Sequence, residues 1–121
     1  MKYMLLIYNR PGFVEELSEQ DRTALFGEVG AIMEDLARSG ELVGGQALAN
    51  PAATRTVRLR DGQPDVTDGP FVESKEQFAG YVAVDCASVE RAAEIAAGWP
   101  DVRFGGVMEV REIIHDSGAQ E

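Results

Sequence analysis

Lys2-Tyr3-Met4-Leu5-Leu6-Ile7-Tyr8 reads as a β-strand that is apolar on both faces. Tyr3, Leu5 and Ile7 fall on one side, Met4, Leu6 and Tyr8 on the other. A strand with two apolar faces belongs in the centre of a sheet that is covered on both sides. The stretch is too short for a signal-peptide core, and no small-residue cleavage site follows before Asn9-Arg10-Pro11-Gly12. Nowhere does the chain approach the ~18 apolar residues of a membrane span. The expectation is a soluble, cytoplasmic protein.

Beyond the loop at Asn9-Arg10-Pro11-Gly12, Ser18 is placed to cap a helix, with Asp21 in the capping-box position. Leu25, Val29, Ile32, Met33 and Leu36 recur at helical spacing, and Gly40 supplies a left-handed stop. Gly27 and Gly30 interrupt this helix and leave open whether it approaches the sheet closely. Residues 41–48 read as a second strand whose Gly44-Gly45 marks a bulge or a pocket wall. Asn50-Pro51 breaks the chain. Residues 55–60 and 65–67 form a hairpin about Asp61-Gly62.

Residues 78–84 give a further strand, with Phe78, Val82 and Val84 on one face and Ala79, Tyr81 and Ala83 on the other. Ser88 caps a short helix with an apolar face of Val89, Ala92, Ala93 and Ala96, ending before Trp99-Pro100. Residues 107–114 form the last strand, and residues 116–121 a polar, disordered tail. The expected fold is α+β: one domain over residues 1–121, a ferredoxin-like β-α-β-β-α-β sheet with a β-hairpin insertion and both helices on one face. The other face, also apolar, is most economically covered by a second copy, which makes the chain a homodimer.

Asp68-Gly69-Pro70-Phe71-Val72-Glu73-Ser74-Lys75-Glu76 is the most unusual stretch. Gly69 and Pro70 force a sharp turn that throws Phe71 into the core or over a cavity, ringed by Asp68, Glu73, Lys75 and Glu76. On chemistry alone this is either an anchored structural turn or the mouth of a site. The motif resembles the name-giving signature of the DGPF, or YCII-related, domain family. The likeness extends over the opening strand, Ser39-Gly40, Thr67 to Phe71, Lys75-Glu76-Gln77, Gly80-Tyr81, Trp99-Pro100 and Val107-Met108-Glu109-Val110-Arg111. It implies a dimeric α/β barrel in which two ferredoxin-like sheets enclose a cavity.

Some YCII-like proteins use a His–Asp pair as acid and base, with the His on the first helix about three turns before its terminal glycine. Counting back from Gly40 lands near Val29, and residues 17–39 contain no His. The resemblance therefore does not carry the dyad to this chain. The single His, His115, stands beside the tail, where a general base rarely has a fixed position. A solvated surface His is its simpler reading.

Charge and composition narrow the remaining classes. With 21 acidic and 11 basic residues the net charge is −10, which repels phosphates and argues against direct nucleic-acid binding. One Cys, Cys86, excludes an intrachain disulfide and a multi-thiolate zinc site, and reads as a small buried hydrophobe. No ligand spacing for a metal, no phosphate-cradling glycine loop and no hydrolase triad is present, so no metal and no cofactor is expected.

What remains is a polar lining for the space between paired sheets. Met108 and Val110 suit the helix side, which turns Glu109 and Arg111, with Tyr81, toward the partner. Charges there must be paired, wet or meeting a ligand. One reading is a structural ion pair at the interface. The other is a pocket of Arg111, Glu109 and Tyr81 for a small polar or anionic molecule, with Asp68, Phe71 and Lys75 at its mouth and Glu109 or Asp68 as candidate bases. A third possibility is a stable scaffold whose relevant ligand is lost. The family also brings an alternative, a non-enzymatic accessory protein associated with an extracytoplasmic-function sigma factor, with the acidic surface docking a basic partner.

Overall fold

The computed structural model describes residues 1–117. Its main sheet contains β1 (Lys2–Asn9), β2 (Leu42–Ala47), β5 (Gln77–Asp85) and β6 (Val107–Glu112), in the antiparallel order β2-β5-β1-β6. That order, with one main helix in each β-α-β half, is the ferredoxin-like arrangement. β1 is internal, as its two apolar faces require. β3 (Arg55–Arg60) and β4 (Gln63–Asp68) form a separate hairpin inserted between β2 and β5. Its tight turn places Asp61 at φ 51° and Gly62 at φ 79°, the two positive angles that favour an Asp-Gly pair.

The long helix α2 (Glu19–Ser39) starts and stops where its caps direct. Ser18 Oγ accepts from the Asp21 amide at 3.0 Å, and Gly40 adopts a left-handed φ of 83°. A short helix, α1 (Phe13–Glu16), precedes it. The second cap is equally local: Ser88 Oγ accepts from the Arg91 amide at 3.1 Å and opens α3 (Val89–Ala97).

Both long helices cover one face of the sheet. Leu36 from α2 and Ala92, Ile95 and Ala96 from α3 pack on Tyr3, Leu5, Val82 and Val84, with Trp99 and Cys86 completing the core. Leu5 and Val84 are fully buried. The α3 face is rotated from the expected one: Ile95 is buried, whereas Val89 and Ala93 are exposed. Alanines on several sides of α3 leave the apolar stripe ambiguous, and the larger Ile95 and Trp99 select its phase. Gly27 and Gly30 face open space, so they do not bring α2 closer to the sheet.

Glu41, just past the Gly40 cap, ties the helices together. Arg91 donates Nε and Nη2 to its two carboxylate oxygens at 2.9 Å each, and Ser39 Oγ donates at 2.8 Å. The Arg91 and Ser39 hydrogen bonds hold the Glu41 carboxyl at about 2 instead of its ordinary 4.5, against the opposing effect of burial. A depressed folded value contributes stability that is complete above pH 4.5 and is lost as pH falls through 2. Arg91→Ala should therefore narrow the difference between urea midpoints at pH 6 and pH 3 relative to the wild type. Equal acid losses in both proteins would remove Glu41 from the explanation.

The last strand ends earlier than expected, at Glu112. The expected tail begins at Asp116, whose carboxylate pairs with the Lys2 ammonium at 2.8 Å. Residues 118–121 of that tail lie outside the described residues.

Candidate functional site

Register across the sheet decides which side chains meet on the face opposite the helices. Gln46 pairs with Tyr81, Tyr81 with Leu6, and Leu6 with Glu109, which makes one continuous cross-strand row. Met4 and Arg111 pair in a neighbouring row, and Tyr8 pairs with both Phe78 and Val107. Tyr81, Glu109 and Arg111 thus share the open face, as the alternation indicates, and Met108 and Val110 pack toward the helices.

Phe78 does not follow the expected alternation. The β1–β5 register shifts between Ile7 and Tyr8, and this bulge carries Phe78 from the helix side to the open face. There its ring lies 5.7 Å from Tyr8. A second shift, between Leu42 and Gly44, is the irregularity that the glycine pair suggested.

The open face carries polar groups within an apolar setting. Tyr81 donates its hydroxyl to Gln46 Oε1 at 3.3 Å. Burial, then the adjacent Glu109 carboxylate, raises the Tyr8 phenol above its usual value, while Arg111 acts in the opposite direction. Tyr8, Glu109 and Arg111 therefore form one electrostatic group. Glu109 and Arg111 make no ion pair with each other among the described residues. Tyr8 and Gln46 were absent from the expected site. Tyr8 could have been found from its alternation with Leu6, but Gln46 required the strand register.

The motif residues sit on the hairpin side. Gly69, at φ 95°, donates its amide to Thr54 O at 2.8 Å and accepts from Thr56 Oγ1 at 2.7 Å. Asp68 pairs with Arg55 at 3.1 Å, and Gln77 Nε2 donates to Val72 O and Ser74 O at 2.9 and 3.1 Å. The turn is thus anchored at both ends. Gly69→Val should cost about 1–2 kcal/mol for the left-handed backbone alone, above the ~0.5 kcal/mol of ordinary surface changes. A melting temperature equal to the wild type's would show that the turn makes no such demand.

Phe71 is 73% exposed, with the Arg58 guanidinium 5.1 Å from its ring centre. With Pro70 it lines a groove of about 310 Å³ that also includes Phe78. The Phe71 groove therefore adjoins the open face through Phe78 and Tyr8. Asp68 and Lys75 are exposed and do not line this groove. Asp68 also lacks the burial that its suggested role as a base requires. His115 is exposed, and Cys86 is buried. Among the described residues, no cluster of three potential metal ligands occurs, and no helix is long and apolar enough to cross a membrane.

A model of the YCII-related domain matches residues 1–116. The chain belongs to the YCII-related domain family. An uncharacterized protein of Rhizobium meliloti (strain 1021), R00369, is 31% identical over 96 residues, which cover 79% of this chain and 77% of that protein. Val29, near the helix position at which some YCII-like proteins carry a histidine, lines a cleft on the helix side of the sheet. That cleft is also lined by the polar residues Asn9, Gln46, Tyr81 and Asp101, of which the sequence singled out only Tyr81. Asn9 Nδ2 donates to Asp101 Oδ2 at 2.8 Å, joining the end of β1 to the turn that follows α3.

Proposed function

We propose that the open faces of two YCII-related chains pair and enclose a cavity for a small polar molecule with an anionic group. Arg111 is the observation that supports this reading most strongly. It has no ion pair, hydrogen bond or ring contact among the described residues, whereas each other arginine engages a carboxylate, a backbone carbonyl or an aromatic ring. A planar guanidinium is well matched to a carboxylate or phosphate. Tyr8 supplies a hydroxyl close enough to feel both Arg111 and Glu109, Tyr81 supplies another on the same face, and Glu109 supplies an acceptor for a ligand donor. Phe71 and Phe78 form an aromatic approach.

A panel of small carboxylates and phosphate monoesters, screened by thermal shift, tests this assignment. At about 100 times Kd, a bound member should stabilise the protein by ~2.7 kcal/mol. Arg111→Ala should lose the response and remain dimeric. An unchanged response in the variant would remove Arg111 from the site.

A second reading, an accessory protein for an extracytoplasmic-function sigma factor, is favoured by the −10 charge and by one exposed hairpin face. Val57 and Val66 are paired on that face, with Leu59 beside them, and all three are exposed. A native pulldown without a stoichiometric protein partner would count against it.

A further inference from the structure

We infer that the cleft between α2 and the sheet is a second binding site, suited to a small apolar amine. It holds about 400 Å³ on the helix side of the sheet, and Gln46 and Tyr81, though they belong to the open-face row, are also part of its lining. Val29 and Met33 reach it from α2, Ile7 and Val82 from the sheet, and Trp99 from beyond α3. These walls suit a hydrocarbon or phenyl group.

The polar residues favour a cation. Asp101 lines the cleft and is only 8% exposed, yet Asn9 Nδ2 is the one side-chain donor that reaches its carboxylate among the described residues. No lysine or arginine pairs with Asp101 there. Asn9 Oδ1, buried and without a hydrogen-bond partner among the described residues, packs against Gly106, which is not part of the cleft wall. Asp101 is therefore a carboxylate at the cleft wall with one side-chain donor and, among the described residues, no positive charge paired to it. An ammonium group would supply the positive charge and the further donors that this carboxylate lacks. A neutral apolar ligand would fill the cleft without answering that charge.

Trp99 is the sole tryptophan and lines the cleft, so its fluorescence reports occupancy directly. The full chain should be titrated with 2-phenylethylamine and with the neutral 2-phenylethanol. A saturable change is expected for the amine, with affinity roughly tenfold higher than for the alcohol. Asp101→Asn should abolish that preference, and Val29→Phe should weaken both ligands by narrowing the cleft. The amine–alcohol comparison in the wild type keeps the test decisive if Asp101→Asn fails to fold. Arg111→Ala should leave amine binding unchanged, which separates this site from the one on the opposite face. No saturable response, equal affinities for the two ligands, or loss of amine binding in Arg111→Ala would overturn the inference.

Discussion

Gly106→Ala should destabilise the protein by about 2–4 kcal/mol, although it adds only one methyl group. The residue joins the turn at Pro100–Phe104 to β6, and its amide donates to Asp101 O at 2.9 Å. A Cβ at this position would lie 2.9 Å from Asp101 O and 3.2 Å from Tyr8 O, and would collide with Asn9 Oδ1. Two of those obstacles are backbone atoms and cannot turn aside. Moving Asn9 would disturb its bond to Asp101 and leave that carboxylate without its donor. A loss of this size is a large part of the ~5–15 kcal/mol that holds a typical domain together. Urea unfolding measures it, with Gly30→Ala as the control because a Cβ there meets nothing within 4 Å. If Gly106→Ala cost no more than Gly30→Ala, the close packing of β1 against this turn would be wrong.

Leu6→Asp should convert the proposed dimer to a folded monomer. Leu6 lies in the row from Gln46 through Tyr81 to Glu109 and is only partly covered within one chain. A solvated carboxylate there costs the isolated fold little, whereas pairing the two open faces would bury it beside Glu109. Burying an uncompensated charge costs about 3–5 kcal/mol, equivalent to a loss of roughly a hundredfold or more in dimer affinity. Sedimentation velocity at micromolar concentration separates the two species. A dimer of unchanged affinity would place the interface elsewhere on the molecule.

Local chemistry was the most legible part of the sequence. Ser18, Gly40 and Ser88 act as caps because their partners are only a few residues away. Asp61-Gly62 turns the hairpin for the same reason, and the two apolar faces of β1 follow from alternation alone. Tyr81, Glu109 and Arg111 were legible because no register shift separates them in their pairing with β1. Phe78 was assigned to the wrong face because a bulge inserts a residue that alternation cannot count.

Longer-range features left weaker signals. Asn9 and Asp101 are 92 positions apart, and their bond depends on how the turn after α3 folds back on β1. Neither residue type at its position suggests the other. The motif was legible as an anchored turn, but its charged residues do not gather around Phe71. Asp68 is committed to Arg55, and Arg58 takes the place above the ring.

Pairing through the open face is the claim on which Arg111, Tyr8 and Glu109 depend as a site. Native mass spectrometry of gently purified protein at neutral pH tests it most directly. A species at twice the 13.1 kDa chain mass is expected, carrying a constant additional mass when the cavity retains its ligand. A monomer at 13.1 kDa across the micromolar range would contradict the pairing and the enclosed cavity with it.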